Sequence, residues 1–138
     1  ACVLSLLVIP VGLKFHAEST SATAQRLAGK FLLLGDVESA RQQVEWLHFL
    51  SPNHPVPLYV LGMCEELENH SPAALDYYER AISGLAEQDV LHREISLRLG
   101  ISLFEERLFD RAELILSDFV ERHPDSDQPR FILKAIYL

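Results

Sequence analysis

SPAALDYYERAI, running from Ser71 to Ile82, carries two alanines seven residues apart with a tyrosine between them. Seven residues is close to two helical turns, so Ala74 and Ala81 share one side of a helix and Tyr78 lies about a turn from each. Methyl groups bury little surface of their own, and their use on one side lets another backbone come close. Ser71 is placed to cap the start, and Pro72 stands at the first helical position, where a missing N–H is tolerated. The stretch predicts a helix packed tightly against a neighbour.

The same arrangement recurs along the chain. Ala40, in DVESARQQVEWL, stands thirty-four positions before Ala74, and Ala112, in FDRAELILSDFV, stands thirty-eight after it. Twelve positions before each of the three is another small residue: Ala28, Gly62 and Gly100. Twelve positions after the first and third stands a proline, Pro52 and Pro124, which ends a helix or opens the next turn. The small residues Ala28, Ala40, Gly62, Ala74, Ala81, Gly100 and Ala112 therefore mark expected close crossings within pairs of helices. Ala24, Leu27, Ala28, Phe31 and Leu32 form one helical stripe, and Leu97, Gly100, Ile101 and Phe104 form another. Gly35-Asp36, Asn69 to Pro72 and Phe109-Asp110 read as the short turns between helices.

This pattern resembles the tetratricopeptide repeat, a helix-turn-helix unit of about 34 residues. The resemblance places three units at 21–54, 55–88 and 93–126, strongest in the middle one, where Gly62, Ala74, Tyr78 and Ala81 fall on the family's own pattern. It implies an all-α fold, a right-handed superhelical array of antiparallel helix pairs, with seven helices. Residues 127–138 form a capping helix or the start of a further repeat. Stacking is required because one pair cannot hide its own apolar faces. A run like Phe119, His123, Pro124, Asp125 and Ser126 also recurs in repeat proteins of the bacterial envelope, which points to a bacterial subtype.

Composition fits this picture. The 138 residues are 49% hydrophobic, enough for a core, and the formal net charge of -8 works against nucleic acid or an anionic lipid surface as a partner. Residues 54–90 contain seven acids and Arg80 as their one strong base, whereas residues 91–138 are more evenly mixed. Cys2 and Cys64 are too few for a disulfide framework and leave the redox compartment open. The opening ACVLSLLVIPVGL has no charge and is too short for an ordinary membrane span. Within the segment 1–20 it reads as a piece packed on the domain, as the remnant of a signal or anchor, or as an assembly element. A periplasmic or membrane-associated location follows from the second reading, and a cytoplasmic one otherwise.

In the family, the first helices of successive repeats line a concave surface. Carried over position by position, that surface is built by Ala22, Gln25, Gly29, Leu32 and Leu33, then Val56, Tyr59, Met63, Glu66 and Leu67, then Glu94, Leu97, Ile101, Phe104 and Glu105. The apolar members Leu32, Leu33, Tyr59, Met63, Leu67, Leu97, Ile101 and Phe104 form the expected partner-binding groove, suited to an apolar or amphipathic polypeptide segment. The set through which some members grip a terminal carboxylate is missing: Gln25, Gly29, Val60 and Glu94 stand where it is needed, and Arg98 alone fits. The groove has two further readings, filling by the chain's own Val3 to Leu13 and contact between identical chains.

No chemistry is expected. The sequence holds no phosphate-binding glycine loop, HExxH pair or close cysteine pair. His16, His48, His54, His70, His92 and His123 are spread over turns and helix ends without metal-site spacing, so no metal or cofactor is implied. Glu65, Glu66 and Glu68 point in different directions on a helix, and Cys64 reads as a small core hydrophobe between Leu61 and Leu67. Trp46 reads as packing at the edge of the first repeat or as a partner surface. The expected function is a non-enzymatic scaffold or adaptor in a bacterial envelope, pilus or secretion assembly. The alternatives are a cytoplasmic chaperone for a secretion-system subunit and an accessory or regulatory domain of a larger enzyme.

Overall fold

A computed structural model describes residues 20–138, which form seven α-helices and no strand. They are α1 (20–33), α2 (Val37–Leu50), α3 (Pro55–Leu67), α4 (Ser71–Ser83), α5 (Val90–Glu105), α6 (Phe109–Arg122) and α7 (Asp127–Tyr137). Each helix from α2 onward packs against the next in the chain, and α5 also meets α7. None of the described helices is long and apolar enough to cross a membrane.

The turns explain the ends. Helices α1, α3 and α5 all stop in the same way, with one left-handed residue at Gly35 (φ 74°), Asn69 (φ 61°) or Arg107 (φ 62°). The residue after it donates its N–H back five positions, Asp36 to Phe31 O at 2.9 Å, His70 to Glu65 O at 2.8 Å and Leu108 to Leu103 O at 2.9 Å. This is the Schellman closure, which satisfies carbonyls that the helix end leaves free. From 35 to 69 is thirty-four residues and from 69 to 107 thirty-eight, the same two intervals that separate the three alanines. The backbone turn thus recurs in step with the small side chains.

The starts are capped individually. Asp36 accepts from Ser39 N at 3.1 Å, His54 Nδ1 from Val56 N at 3.2 Å with Pro55 opening α3, and Asp89 from Leu91 N at 2.8 Å. The cap expected at Ser71 is not there: α4 begins at Ser71 itself, with His70 before it and no side-chain cap bond. The closure at Asn69 brings the chain into helical geometry one residue early, and the His70 carbonyl takes the first bonds from Ala73 and Ala74. Helix α5 begins at Val90, three residues before the expected unit boundary at Arg93. The residues added to the second interval go mainly into this helix, which has 16 residues against 13 for α3, and into a longer connection before it, 84–89 against 51–54.

Two clusters make the core. Ala24 and Ala28 of α1, Ala40 and Val44 of α2, and Val60, Leu61 and Cys64 of α3 form one. Leu58 and Tyr59 of α3, Ala74, Tyr78 and Ala81 of α4, Ile95, Leu99 and Leu103 of α5 and Ala112 and Leu116 of α6 belong to the other. Met63 and Tyr77 pack against both. Ala28, Ala40, Ala74, Ala81 and Ala112 are fully buried. At the glycines, the space is taken by a large side chain of the following helix. A Cβ on Gly62 would lie 2.5 Å from Tyr78 Cε1, and one on Gly100 would lie 2.7 Å from Leu116 Cγ. The alanines at 74 and 81 flank Tyr78 because its ring, fully buried, fills the notch that Gly62 leaves.

Candidate functional site

Helices α1, α3 and α5 wall a groove of about 470 Å³. Its α1 side is a two-turn strip in which Gln25, Gly29 and Leu32 alternate with Arg26, Lys30 and Leu33. From α3 come Tyr59, Met63, Glu66 and Leu67, and from α5 come Glu94 and Arg98. Leu33 is 90% exposed and Leu67 52% exposed, so the groove presents large aliphatic side chains to solvent at its mouth.

A polar network forms the far wall. Tyr59, almost entirely buried as a residue, donates its hydroxyl to Glu94 and accepts from Arg98 Nε at 3.1 Å. Tyr78 donates to Glu66, whose carboxylate is 3.4 Å from an Arg98 guanidinium nitrogen. Burial, and then the hydrogen bonds to Glu94 and Glu66, push both phenols well above their ordinary range, so both remain proton donors at neutral pH. The network ties α3, α4 and α5 together through five side chains and sets two carboxylates against one guanidinium, leaving one negative charge in excess. Arg26 and Lys30 on the opposite wall are exposed and make no ion pair with any described residue.

Five of the eight apolar residues expected in the groove line it: Leu32, Leu33, Tyr59, Met63 and Leu67. Leu97, Ile101 and Phe104 do not. Leu97 and Phe104 pack against the α3–α6 core, where the Phe104 ring meets Phe109 at 5.6 Å between centroids, and Ile101 is half-buried outside the groove. The α5 residues that reach the groove are Glu94 and Arg98, one turn apart; Ile101, seven residues after Glu94, shares its side of the helix but lies two turns further along, and Leu97 and Phe104 stand on the adjoining side. Gln25, Gly29, Glu66 and Glu94 also line the groove. Arg26 and Lys30 escaped the sequence reading. Their signal was a cation pair at i, i+4 bracketing a mid-helix glycine.

Outside the groove, Glu65 and Glu68 come together with His70, their ligand-type atoms all within 4.8 Å. Arg41 of α2 already bridges the two carboxylates, at 3.0 Å to Glu65 and 2.8 Å to Glu68, so a guanidinium holds the place where a metal ion would have to sit. The cluster clamps α2 to the end of α3. Among the other described histidines, His54 caps α3, His123 meets the Phe119 ring at 4.8 Å between centroids with the planes tilted by 54°, and Nδ1 of His48 is buried without a hydrogen-bond partner among the described residues. Trp46 is 42% exposed on the outer side of α2. His16, Cys2 and the segment Val3 to Leu13 lie outside the described residues.

Cys64 is buried in the first core cluster, 3.9 Å from the Val37 carbonyl, and burial pushes its thiol up to about 11. At pH 8 only about one such thiol in a thousand is ionised, and the thiolate is the reactive form. Cys64 is therefore expected to resist iodoacetamide in the native protein and to be alkylated only after unfolding. Peptide mapping, which separates Cys64 from Cys2, reads this directly; rapid native alkylation at Cys64 would contradict its placement in the core.

Comparison with known proteins adds no assignment: no family model matches the chain, and no curated protein matches it.

Proposed function

We propose that the chain is a tetratricopeptide-like scaffold, a stack of antiparallel helix pairs, that holds an apolar or amphipathic polypeptide segment in the α1–α3–α5 groove and performs no chemistry. The observation that carries this reading is the groove itself, with Leu33 and Leu67 solvent-exposed at its mouth above Met63 and Leu32. Helices fix its walls, and a groove already formed costs its guest little ordering of the host. The recurrence of one turn and one set of small residues at the same intervals supports the stacked-pair reading. The far-wall network supports a binding role over a catalytic one, because its acids and its arginine are engaged with one another and with protonated tyrosines.

A photo-crosslinking residue at position 67 of the full chain tests this in cells of the native host. The expected product is a covalent adduct to one polypeptide segment from another protein, identified by mass spectrometry. Covering a leucine is worth about 1.5–3 kcal/mol when complete. With Leu33 and Leu67 both replaced by glutamate, the identified segment is expected to bind at least about 30-fold more weakly, which corresponds to roughly 2 kcal/mol. Both residues are exposed at the groove mouth, so the thermal midpoint should be nearly unchanged. Adducts confined to the chain's own residues 1–19, to a second copy, or to a small molecule defeat the proposal.

A further inference from the structure

We propose that the guest is an acidic amphipathic helix that crosses α1 over Gly29, rests its apolar side chains on Leu33 and Leu67, and sets its carboxylates against Arg26 and Lys30. The inference rests on the reading of the groove as a polypeptide dock and adds the chemistry of the guest and its crossing point.

Three observations meet at α1. Gly29 stands in mid-helix, where glycine weakens the helix relative to alanine. At Gly62 and Gly100 the fold demands that sacrifice, because a Cβ would strike Tyr78 or Leu116. At Gly29, beyond its chain neighbours and the backbone of its own turn, no atom of the described residues lies within 4 Å of where a Cβ would be, so the packing of those residues gives no reason for the glycine. Helix axes approach most closely where the side chains at the contact are small. A glycine facing an open groove is the crossing point for a helix that comes from elsewhere.

The charges specify which helix. The groove holds five charged side chains, and three of them, Glu66, Glu94 and Arg98, belong to the network with the two tyrosines. Arg26 and Lys30, one turn apart on either side of Gly29, make no ion pair with any described residue, and with them the groove's three cations exceed its two carboxylates. Along α1 they are separated by a rise of about 6 Å, the same rise that separates carboxylates at i and i+4 on a guest helix. The net charge of -8 does not forbid an acidic guest. At physiological salt, charges farther off than about 8 Å are largely screened, and the two cations at the groove edge dominate. A guest strand would need a sheet edge to join, and the described residues contain no strand.

The test titrates the full chain with three labelled synthetic helical peptides that share one leucine stripe and carry glutamate, glutamine or lysine at two flanking positions four apart. The glutamate peptide is expected to bind about 10-fold or more tighter than the lysine peptide at low salt, and high salt should erase most of that difference. Arg26→Glu with Lys30→Glu should invert the order. Gly29→Leu should abolish binding of all three while the chain stays folded, and Gly29→Ala should raise the melting temperature by about 3–5 °C. Equal affinity for the three peptides overturns the acidic guest and leaves the groove reading intact. Undiminished binding to Gly29→Leu overturns the crossing point, and failure of every peptide to bind a chain that still cross-links a polypeptide at position 67 overturns the helical guest.

Discussion

Tyr78→Ala is expected to lower the unfolding free energy by about 3–5 kcal/mol, the largest single effect in this chain. Its ring is fully buried, lies 6.1 Å from the Tyr59 ring between centroids, and fills the notch at Gly62. Truncation removes the ring's transfer energy, leaves a cavity and strips Glu66 of a donor. Against a total of about 5–15 kcal/mol for an ordinary domain, the variant is marginal at 37 °C. Gly62→Leu alone is also expected to destabilise, because its side chain must enter the space the ring occupies, and such overpacking costs about 1–3 kcal/mol or more. Combined, the two changes should not add. The leucine at 62 fills the cavity, and the double variant should recover about 1–3 kcal/mol relative to the sum of the single changes. Urea unfolding of the four proteins measures the cycle; strict additivity would mean that positions 62 and 78 do not share one site.

The second large effect belongs to Arg98. Its guanidinium is, among the described residues, the one cation within bonding reach of Glu66 and of the Tyr59 hydroxyl that serves Glu94. Arg98→Met keeps much of the aliphatic stem and deletes the charge, leaving two carboxylates on the far wall with tyrosine donors but no counter-ion. Removing one partner of a fully buried pair costs about 3–5 kcal/mol. Here the side chains of Arg98 and Glu66 are 38% and 31% exposed, so water screens part of the loss. An intermediate cost of about 1–2 kcal/mol is expected by urea unfolding. Adding Glu66→Gln should return part of it, because the neutral amide still accepts from Tyr78 and no longer needs a cation. If Arg98→Met is as stable as the parent, the network does not hold α3 to α5.

Both effects arise at positions that one-dimensional pattern reading located without explaining. Gly62 and Tyr78 belong to the spacing that suggested repeated helix pairs, yet spacing says only that small residues recur. That the ring of Tyr78 sits in the notch of Gly62, and Leu116 in that of Gly100, follows from how successive helices cross. The groove was legible in the same partial way. Positions carried over from the resemblance put Leu32, Leu33, Met63 and Leu67 at a groove that they do line, and put there also Leu97 and Phe104, which pack on the core, and Ile101, which lies outside it. The rotation of α5 about its axis and the length of the groove along it separate the two outcomes. No local preference in the sequence sets that angle.

What the amino-acid order determined by itself is local. Glycine and asparagine could take the left-handed turns at 35 and 69, aspartates could cap α2 and α5, proline could open α3, and apolar residues recur at helical spacing. Those preferences act within a few residues and are readable one segment at a time. The tertiary structure alone decided that Glu66 and Glu94, twenty-eight positions apart, are linked through Arg98, directly to Glu66 and by way of the Tyr59 hydroxyl to Glu94, that Arg26 and Lys30 face an open groove without partners among the described residues, and that Arg41 reaches across to Glu65 and Glu68. These are long-range side-chain encounters, set by the crossing and rotation of whole helices, and packing energy summed over many residues fixes that geometry.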